Sequence, residues 1–393
     1  MLFVTLNAGM GLHQAALADA LYQLLGDDFV FIEFGRHNKS QYGSFKGASK
    51  GINYYENRPY ILKMYENKES EEQARELITK ADVLRTGGEP KELTYQRLLD
   101  NKLTFRSTEH ILKGPLWRDL FRIRSINKLY AKSAMPNYRL LCQSALVPKD
   151  MRFCLSDWKE KCYKFAYFTQ IPSIDIAKVI RGRGTEKIRI IWCARFLNWK
   201  HPELPVKLAK LMVESGRKNF ELQMIGANAT PLWEKTKKMI GKYHLENNVI
   251  MTGGIPNQEV LERMRQSHIF IFTSDRGEGW GAVLNEAMSA GCACVASNEI
   301  GAVPFLLRHK ENGLIFQSGS SFSLFENVAY LYDNLNVAKD FGFRAYQTIT
   351  GEWSAQNAAK RLILLSESIL KGNEILFEDG PCSKAYPVNI KNQ

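Results

Sequence analysis

Two kinds of apolar pattern alternate along the chain. Short apolar runs occupy residues 2–6, 29–34, 81–84, 102–105 and 140–142 in the first half, and 187–193, 220–224, 248–251, 269–273 and 292–296 in the second. Between them lie segments of helical period: 14–25, with Leu17, Ala20, Leu21 and Leu24 on one face, then the charged stretch 69–79, 233–243, 258–264, the alanine-rich stretch after Gly281, and 353–370. The first kind predicts buried strands, the second helices. Their alternation predicts βαβ units and an α/β chain on parallel sheets, where ligands bind outside the carboxyl ends of the strands.

Three stretches stand outside this alternation. Residues 36–51, rich in Lys, Ser, Gly and Asn, read as a long mobile loop, open either to an acceptor or to solvent alone. Residues 174–185, ending in Arg181-Gly182-Arg183-Gly184, read as a linker. Residues 116–140 interleave Trp117, Leu120, Phe121, Ile123, Ile126 and Leu129 with Arg118, Arg122, Arg124, Lys128, Lys132 and Arg139. That is the pattern of a basic amphipathic helix. It fits a core-facing helix with a solvated back, or one lying on an anionic bilayer, where each basic residue is worth about 1 kcal/mol.

Composition narrows this picture in few places. At 393 residues there is room for two domains, each with its own core, and 45% apolar with 24% charged residues argues against extensive disorder. A net charge of +12 implies an anionic partner: a nucleotide, nucleic acid or an acidic membrane surface. The seven cysteines lack zinc-like pairing, which points to reduced thiols and a cytoplasmic location. Residues 1–6 carry no basic n-region and are too short for a signal peptide's apolar core, and no run approaches the roughly 18 apolar residues of a membrane span. Any membrane association is therefore expected to be peripheral.

The richest candidate chemistry lies at 275–291. After the predicted strand 269–273, Gly277, Gly279 and Gly281 permit turns and close backbone approach, and the amides opening the next helix at Ala282, Val283 and Leu284 carry its positive dipole end. Such a corner suits a phosphate. Glu278 and Glu286 flank it, one able to reach sugar hydroxyls and the other ribose hydroxyls; a plain βα corner with a capping glutamate is the competing reading. After the strand 187–193 come Arg195 and Lys200, a forked guanidinium and an ammonium suited to neutralising a diphosphate. Near the amino terminus, Gly9-Met10-Gly11 begins a G-x-G-x-x-G fingerprint with Glu33 where a ribose-binding acid would sit, but Gln14 replaces the third glycine. That leaves an NAD-dependent oxidoreductase as a rival. Ser107 or Thr108 could simply cap a helix with Glu109 in its first turn.

The run from Glu278 to Gly291, followed by Cys292-Ala293-Cys294-Val295-Ala296-Ser297, resembles the E-x7-E region of retaining, nucleotide-sugar-dependent glycosyltransferases of family 4. The likeness is strongest over 187–316. Arg195 and Lys200 match that family's Arg-x4-Lys, Gly301-Ala302-Val303-Pro304 and residues 311–316 continue its pattern, and Phe305 departs from it where a glutamate is common.

The resemblance implies a GT-B fold, with two Rossmann-like parallel-sheet domains facing across a cleft. It divides the chain into an acceptor-side domain at 1–170, a linker at 171–186, a nucleotide-sugar domain at 187–365 and a segment returning to the first domain at 366–393. It makes Glu278, Arg195 and Lys200 the catalytic set. Donor contacts are expected at Gly279, Trp280, Gly281, Ala282, Val283, Leu284, Glu286, Gly254, Ile255, Gly226, Gly9 and Gly11, with Glu109 and His110 candidates on the sugar or acceptor side. The implied reaction moves a sugar from a UDP- or GDP-sugar to a saccharide or lipid-linked saccharide in surface-polysaccharide assembly, at or near the inner face of the cytoplasmic membrane. Neither a cofactor nor a nucleic-acid partner is expected, and no metal, since no Asp-x-Asp pair stands out. A sugar-nucleotide or polyanion-binding protein without turnover is the non-enzymatic alternative.

Overall fold

A computed structural model describes residues 1–35, 58–88, 91–114, 119, 123, 136–153, 157–171, 173–228 and 230–389. The loop expected at 36–51 and nearly all of the basic stretch 116–140 lie outside the described residues. The chain forms two compact units, one from the described residues up to Gln170 together with Glu352–Val388, the other from Ile171–Gly351.

The first unit is built on a parallel sheet of β1 (Phe3–Asn7), β2 (Phe29–Glu33), β3 (Ile61–Lys63), β4 (Val83–Thr86), β5 (Thr104–Thr108), β6 (Tyr138–Cys142) and β7 (Cys162–Lys164), in the order β3-β2-β1-β4-β5-β6-β7. One face is sealed by Val4, Leu6, Ile32 and Leu84 against Ala74 and Ile78 of the helix Lys68–Lys80. The helix Ala355–Leu370 packs beside Leu12–Leu25, and the chain beyond it runs antiparallel to the edge strand β7. There the Lys164 amide donates to Ser383 (2.7 Å), Cys382 to Lys164 (2.8 Å) and Ala385 to Cys162 (2.9 Å).

The second unit carries β8 (Ile188–Cys193), β9 (Phe220–Ile225), β10 (Val249–Gly253), β11 (Ile269–Phe272), β12 (Ala293–Ser297) and β13 (Leu314–Phe316), all parallel, in the order β10-β9-β8-β11-β12-β13. Ile190, Trp192, Leu222, Met224, Ile271 and Val295 interleave with the helices Glu203–Glu214 and Ser321–Asp333 to form its core. In each sheet the strand order turns about its first strand, at β1/β4 and at β8/β11, the crevice positions where doubly wound sheets bind ligands.

The stretch expected to be linker is partly helical. Asp175 caps the helix Ile176–Arg181 by accepting the Lys178 amide (3.0 Å), and the buried Ile176 and Ile180 anchor it. Arg183, expected in a loop, is buried and donates to the carbonyls of Ala290 and Gly291 (both 2.7 Å) and of Arg265 (2.9 Å). Among the described residues no helix is long and apolar enough to cross a membrane.

Candidate functional site

Strand β11 pairs with β8 only through Ile269 with Ile190 and Phe270 with Ile191. Beyond that register the two strands continue into the loops that carry the candidate chemistry, and side chains tie those loops together. Trp192 Nε1 donates to Thr273 Oγ1 (2.8 Å), the Thr273 hydroxyl donates to the Lys200 carbonyl (2.6 Å), and the Asp275 amide donates to the Trp199 carbonyl (2.9 Å). Residues some 75 positions apart in sequence are thereby held side by side, by bonds that are obligatory wherever the backbone is shielded from water.

Lys200 and Glu278 form a salt bridge with side chains only 11% and 14% exposed, and the Ser274 hydroxyl donates to the same Glu278 oxygen (3.1 Å). The Lys200 ammonium also stands 5.8 Å from the centre of the Phe272 ring. Arg195 is exposed, and its guanidinium makes no hydrogen bond or ion pair among the described residues. The two expected diphosphate cations thus differ: one is open to solvent, and the other is held by a carboxylate of the glycine loop.

The loop itself is shaped from within. Asp275 accepts the Gly277 amide (2.7 Å) through its side chain and the Glu278 amide (3.0 Å) through its carbonyl. A Cβ on Gly277 would lie 2.8 Å from that of Trp199, so the glycine lets the two loops touch. Gly281 adopts φ +90°, and a Cβ there would sit 2.6 Å from the Phe272 ring. Between them Trp280 turns inward: it is fully buried, donates from Nε1 to Asn285 Oδ1 (2.9 Å) and lies 6.2 Å from the Phe305 ring. The expected donor contact at Trp280 is therefore limited to its backbone, and Phe305, which departs from the family pattern, fills space against the indole.

The helix Val283–Ser289 follows, with the half-buried Glu286 in its first turn. Burial raises the Glu286 carboxyl above the usual range, opposed by a hydrogen bond from Asn257 Nδ2 (3.1 Å). Asn257 opens the helix Asn257–Gln266, two residues after Ile255. The loop after β10, with Gly254 exposed and Ile255 half-buried, is thereby linked to Glu286, while Gly226 follows β9 and donates its amide to Gly253 (3.1 Å). Ala282, Val283 and Leu284 form the opening of the site helix, with Gly279 in the loop before it.

The remaining expected residues belong to the first unit. Two amides of the loop at Gly9 to Gly11 are taken by its own unit: Met10 donates to Glu33 Oε1 (2.7 Å) and Gly11 to Gln14 Oε1 (2.6 Å). Glu33 also accepts from the Tyr65 hydroxyl (3.3 Å) and is buried, so it braces the loop instead of presenting itself to a ribose. Glu109 accepts from the Tyr167 hydroxyl (3.0 Å) and pairs with Lys113 (3.2 Å). His110 is buried beside Asp150, 3.7 Å from Nδ1 to the carboxylate, and the same oxygen accepts the amides of Ile111 and Leu112.

Sequence reasoning passed over four residues that build the site: His201, Asp275, Asn257 and Arg183. His201 and Asp275 meet across 74 positions and Asn257 and Glu286 across 29, separations at which no local spacing rule operates.

Residues 173–348 match the family model described as Glycosyl transferases group 1. The match spans nearly all of the second unit. Over 208 residues the chain is 25% identical to an uncharacterised glycosyltransferase of Methanocaldococcus jannaschii, covering 53% of this chain and 52% of that protein. Over 138 residues it is 27% identical to a GDP-mannose-dependent alpha-(1-6)-phosphatidylinositol monomannoside mannosyltransferase of Mycobacterium tuberculosis, covering 34% and 36%. The chain thus spans about half the length of the first of these relatives and about a third of the second. Among solved structures, a Rickettsia africae glycosyltransferase superposes with a TM-score of 0.68 at 16% identity, over 94% of this chain and 98% of that one. The Anabaena protein HepE, in complex with UDP, superposes at 0.66 and 13% identity, over 95% and 99%. At these identities the likeness establishes the fold, GT-B with two parallel-sheet α/β domains, of which the second carries the family match.

Proposed function

We propose that the protein is a retaining, nucleotide-sugar-dependent glycosyltransferase of family 4. The observation that supports this reading is the Lys200–Glu278 pair, which joins the loops after β8 and β11 at the switch point of the second sheet, with Arg195 in the first of these loops and Glu286 on the helix that follows the second. In this reading Glu286 holds the ribose hydroxyls and the loop with Gly254 and Ile255 meets the base. Arg195, Lys200 and the amides from Gly279 to Leu284 stabilise the departing diphosphate, whose charge grows as the glycosidic bond breaks. A bound diphosphate competes with Glu278 for the Lys200 ammonium and frees the carboxylate to orient the donor sugar. Gly226 lines the nucleotide side of the same site, and Gly9, Gly11, Glu109 and His110 are assigned to the sugar and acceptor side. The engaged Glu33 disfavours the dinucleotide reading.

The acceptor is proposed to be a saccharide or lipid-linked saccharide of surface-polysaccharide assembly, met in the cytoplasm at the inner membrane face. That proposal leans on the sequence resemblance and on the phosphatidylinositol-linked mannosyl acceptor named for the mycobacterial relative. The domain limits implied by the resemblance, with a linker at 171–186 and a return at 366–393, belong to the same proposal.

A thermal-shift panel of UDP, GDP, NAD and heparin tests it. UDP or GDP at 100 times its dissociation constant should stabilise the protein by about 2.7 kcal/mol, with NAD and heparin ineffective; stabilisation by NAD alone would overturn the assignment. Because Arg195 and Lys200 supply the positive charge, turnover should survive EDTA, and strict dependence on a divalent ion would count against these roles. Donor hydrolysis measured across a set of nucleotide sugars then identifies the sugar.

A further inference from the structure

His201 occupies an uncommon backbone position between the two loops of the second unit. It ends the 3-10 turn Asn198–Lys200 in the left-handed region, φ +49° and ψ +57°, which histidine tolerates better than most residues. Its amide donates to Asn198 (3.2 Å), its carbonyl accepts from Leu204 (3.0 Å), and its ring faces the loop after β11. Nε2 stands 3.0 Å from Asp275 Oδ2 and Nδ1 stands 3.0 Å from Glu203 Oε1. With a carboxylate at each nitrogen, both bonds form together only when both nitrogens carry protons. The other oxygen of Asp275 accepts the Gly277 amide that sets the turn leading to Glu278.

We propose that His201, as a doubly protonated imidazolium, is a positioning residue that clamps the glycine loop at 275–281 in the conformation that receives the donor diphosphate. The substrate class in this statement rests on the glycosyltransferase reading, whereas the clamp stands on the geometry alone. Charge accounts for its strength. The hydrogen bonds to Asp275 and then to Glu203 push the His201 pKa up to about 9, against an ordinary value near 6.5. At Asp275 burial favours the neutral carboxyl, and the hydrogen bonds from His201 and the Gly277 amide outweigh it, so the carboxylate stays below its usual range. The charged groups around the clamp are Asp275 and Arg276 from the loop after β11, Glu203 and Lys207 from the helix Glu203–Glu214, and Lys200 beside it in the chain. The raised folded-state pKa fixes the pH sense: the clamp's stabilisation is complete below about pH 6.5 and lost as pH rises through about 9.

The test uses the full chain with two substitutions, H201N, which tolerates the left-handed backbone, and E203Q, which leaves His201 in place and weakens one arm. Amide hydrogen exchange over residues 275–281 is read at pH 6.5 and 9.5, alongside UDP and GDP affinity by calorimetry. In the wild type, exchange corrected for its intrinsic pH dependence should rise at least fivefold between the two pH values. H201N should show the raised level at both, and E203Q should move the transition to lower pH. Affinity for whichever nucleotide binds should fall at least fivefold in H201N at pH 6.5, and donor KM should rise more than kcat falls. Loop protection and its pH dependence unchanged in H201N would overturn the clamp, even if UDP or GDP binds. A clamp confirmed by exchange in a protein that binds neither nucleotide would instead overturn the glycosyltransferase reading and leave the clamp standing.

Discussion

Lys200→Ala is expected to lower kcat/KM for sugar transfer by about 10²–10³-fold, the usual effect of deleting one group that stabilises charge developing in a transition state. The ammonium lies at the carboxyl end of β8, within the loop pinned by Thr273 and Asp275, and the glycine loop already supplies an anion to it in Glu278. Substitution has a second consequence. It leaves the Glu278 carboxylate, 14% exposed, with the Ser274 hydroxyl as its remaining side-chain partner among the described residues, and an uncompensated shielded charge is destabilising. Combining Lys200→Met with Glu278→Gln separates the two effects. The double variant should recover the melting temperature lost by Lys200→Ala while transfer stays at the level of the single variant. Restored transfer in the double variant would overturn both roles, leaving Lys200 and Glu278 only to neutralise each other.

Arg183→Ala is expected to destabilise the second unit by about 3–5 kcal/mol, measured as the loss of unfolding free energy in urea at unchanged m-value. Among the described residues the buried guanidinium has no carboxylate partner, and it donates three hydrogen bonds to the carbonyls of Arg265, Ala290 and Gly291. Burial lowers its pKa, and the carbonyl dipoles it reaches are the groups that can offset the cost of holding the charge there. Hydrogen bonds to charged groups contribute about 1.5–3 kcal/mol each, and the orphaned carbonyls add a desolvation penalty, so the estimate is conservative for three contacts. Ala290 and Gly291 close the helix that begins beside the glycine loop, so the variant should also weaken nucleotide binding. Arg183→Lys, with three donors but no planar fork, should recover only part of the stability.

The βαβ frame was legible because its strands are buried on both faces and read as apolar runs, as 187–193 and 269–273 do. Strands β3, β7 and β13 are three residues each, too short for any period to show, and the family pattern at 311–316 did not mark β13 as a strand. Arg195, Lys200, Glu278 and Glu286 could be singled out because residue type and local spacing already suggest phosphate and ribose chemistry. Their relation to one another could not, since the Lys200–Glu278 bridge and the His201–Asp275 contact depend on strand order, and strand order is a long-range property. Trp280 shows a different limit: nothing in a glycine-rich sequence tells whether its indole turns toward ligand or toward Asn285 and Phe305. Arg183 in an Arg-Gly-Arg-Gly stretch looks like solvent-facing linker until the carbonyls it reaches, 107 and 108 residues away, are known.

The antiparallel contact that residues 382–385 make with β7 bears on how the protein is made. Among the described residues the second unit is, Asn389 aside, one continuous stretch, Ile171–Gly351, whereas the first takes residues from both sides of it. During synthesis the stretch Ile171–Gly351 therefore leaves the ribosome while the first unit still waits for the helix Ala355–Leu370 and for the segment that covers β7. Through that interval β7 offers unpaired backbone groups to any other extended chain, and edges of that kind seed aggregation. Overproduction faster than completion of this contact is thus the condition under which the first unit, and not the second, sets the yield of folded protein.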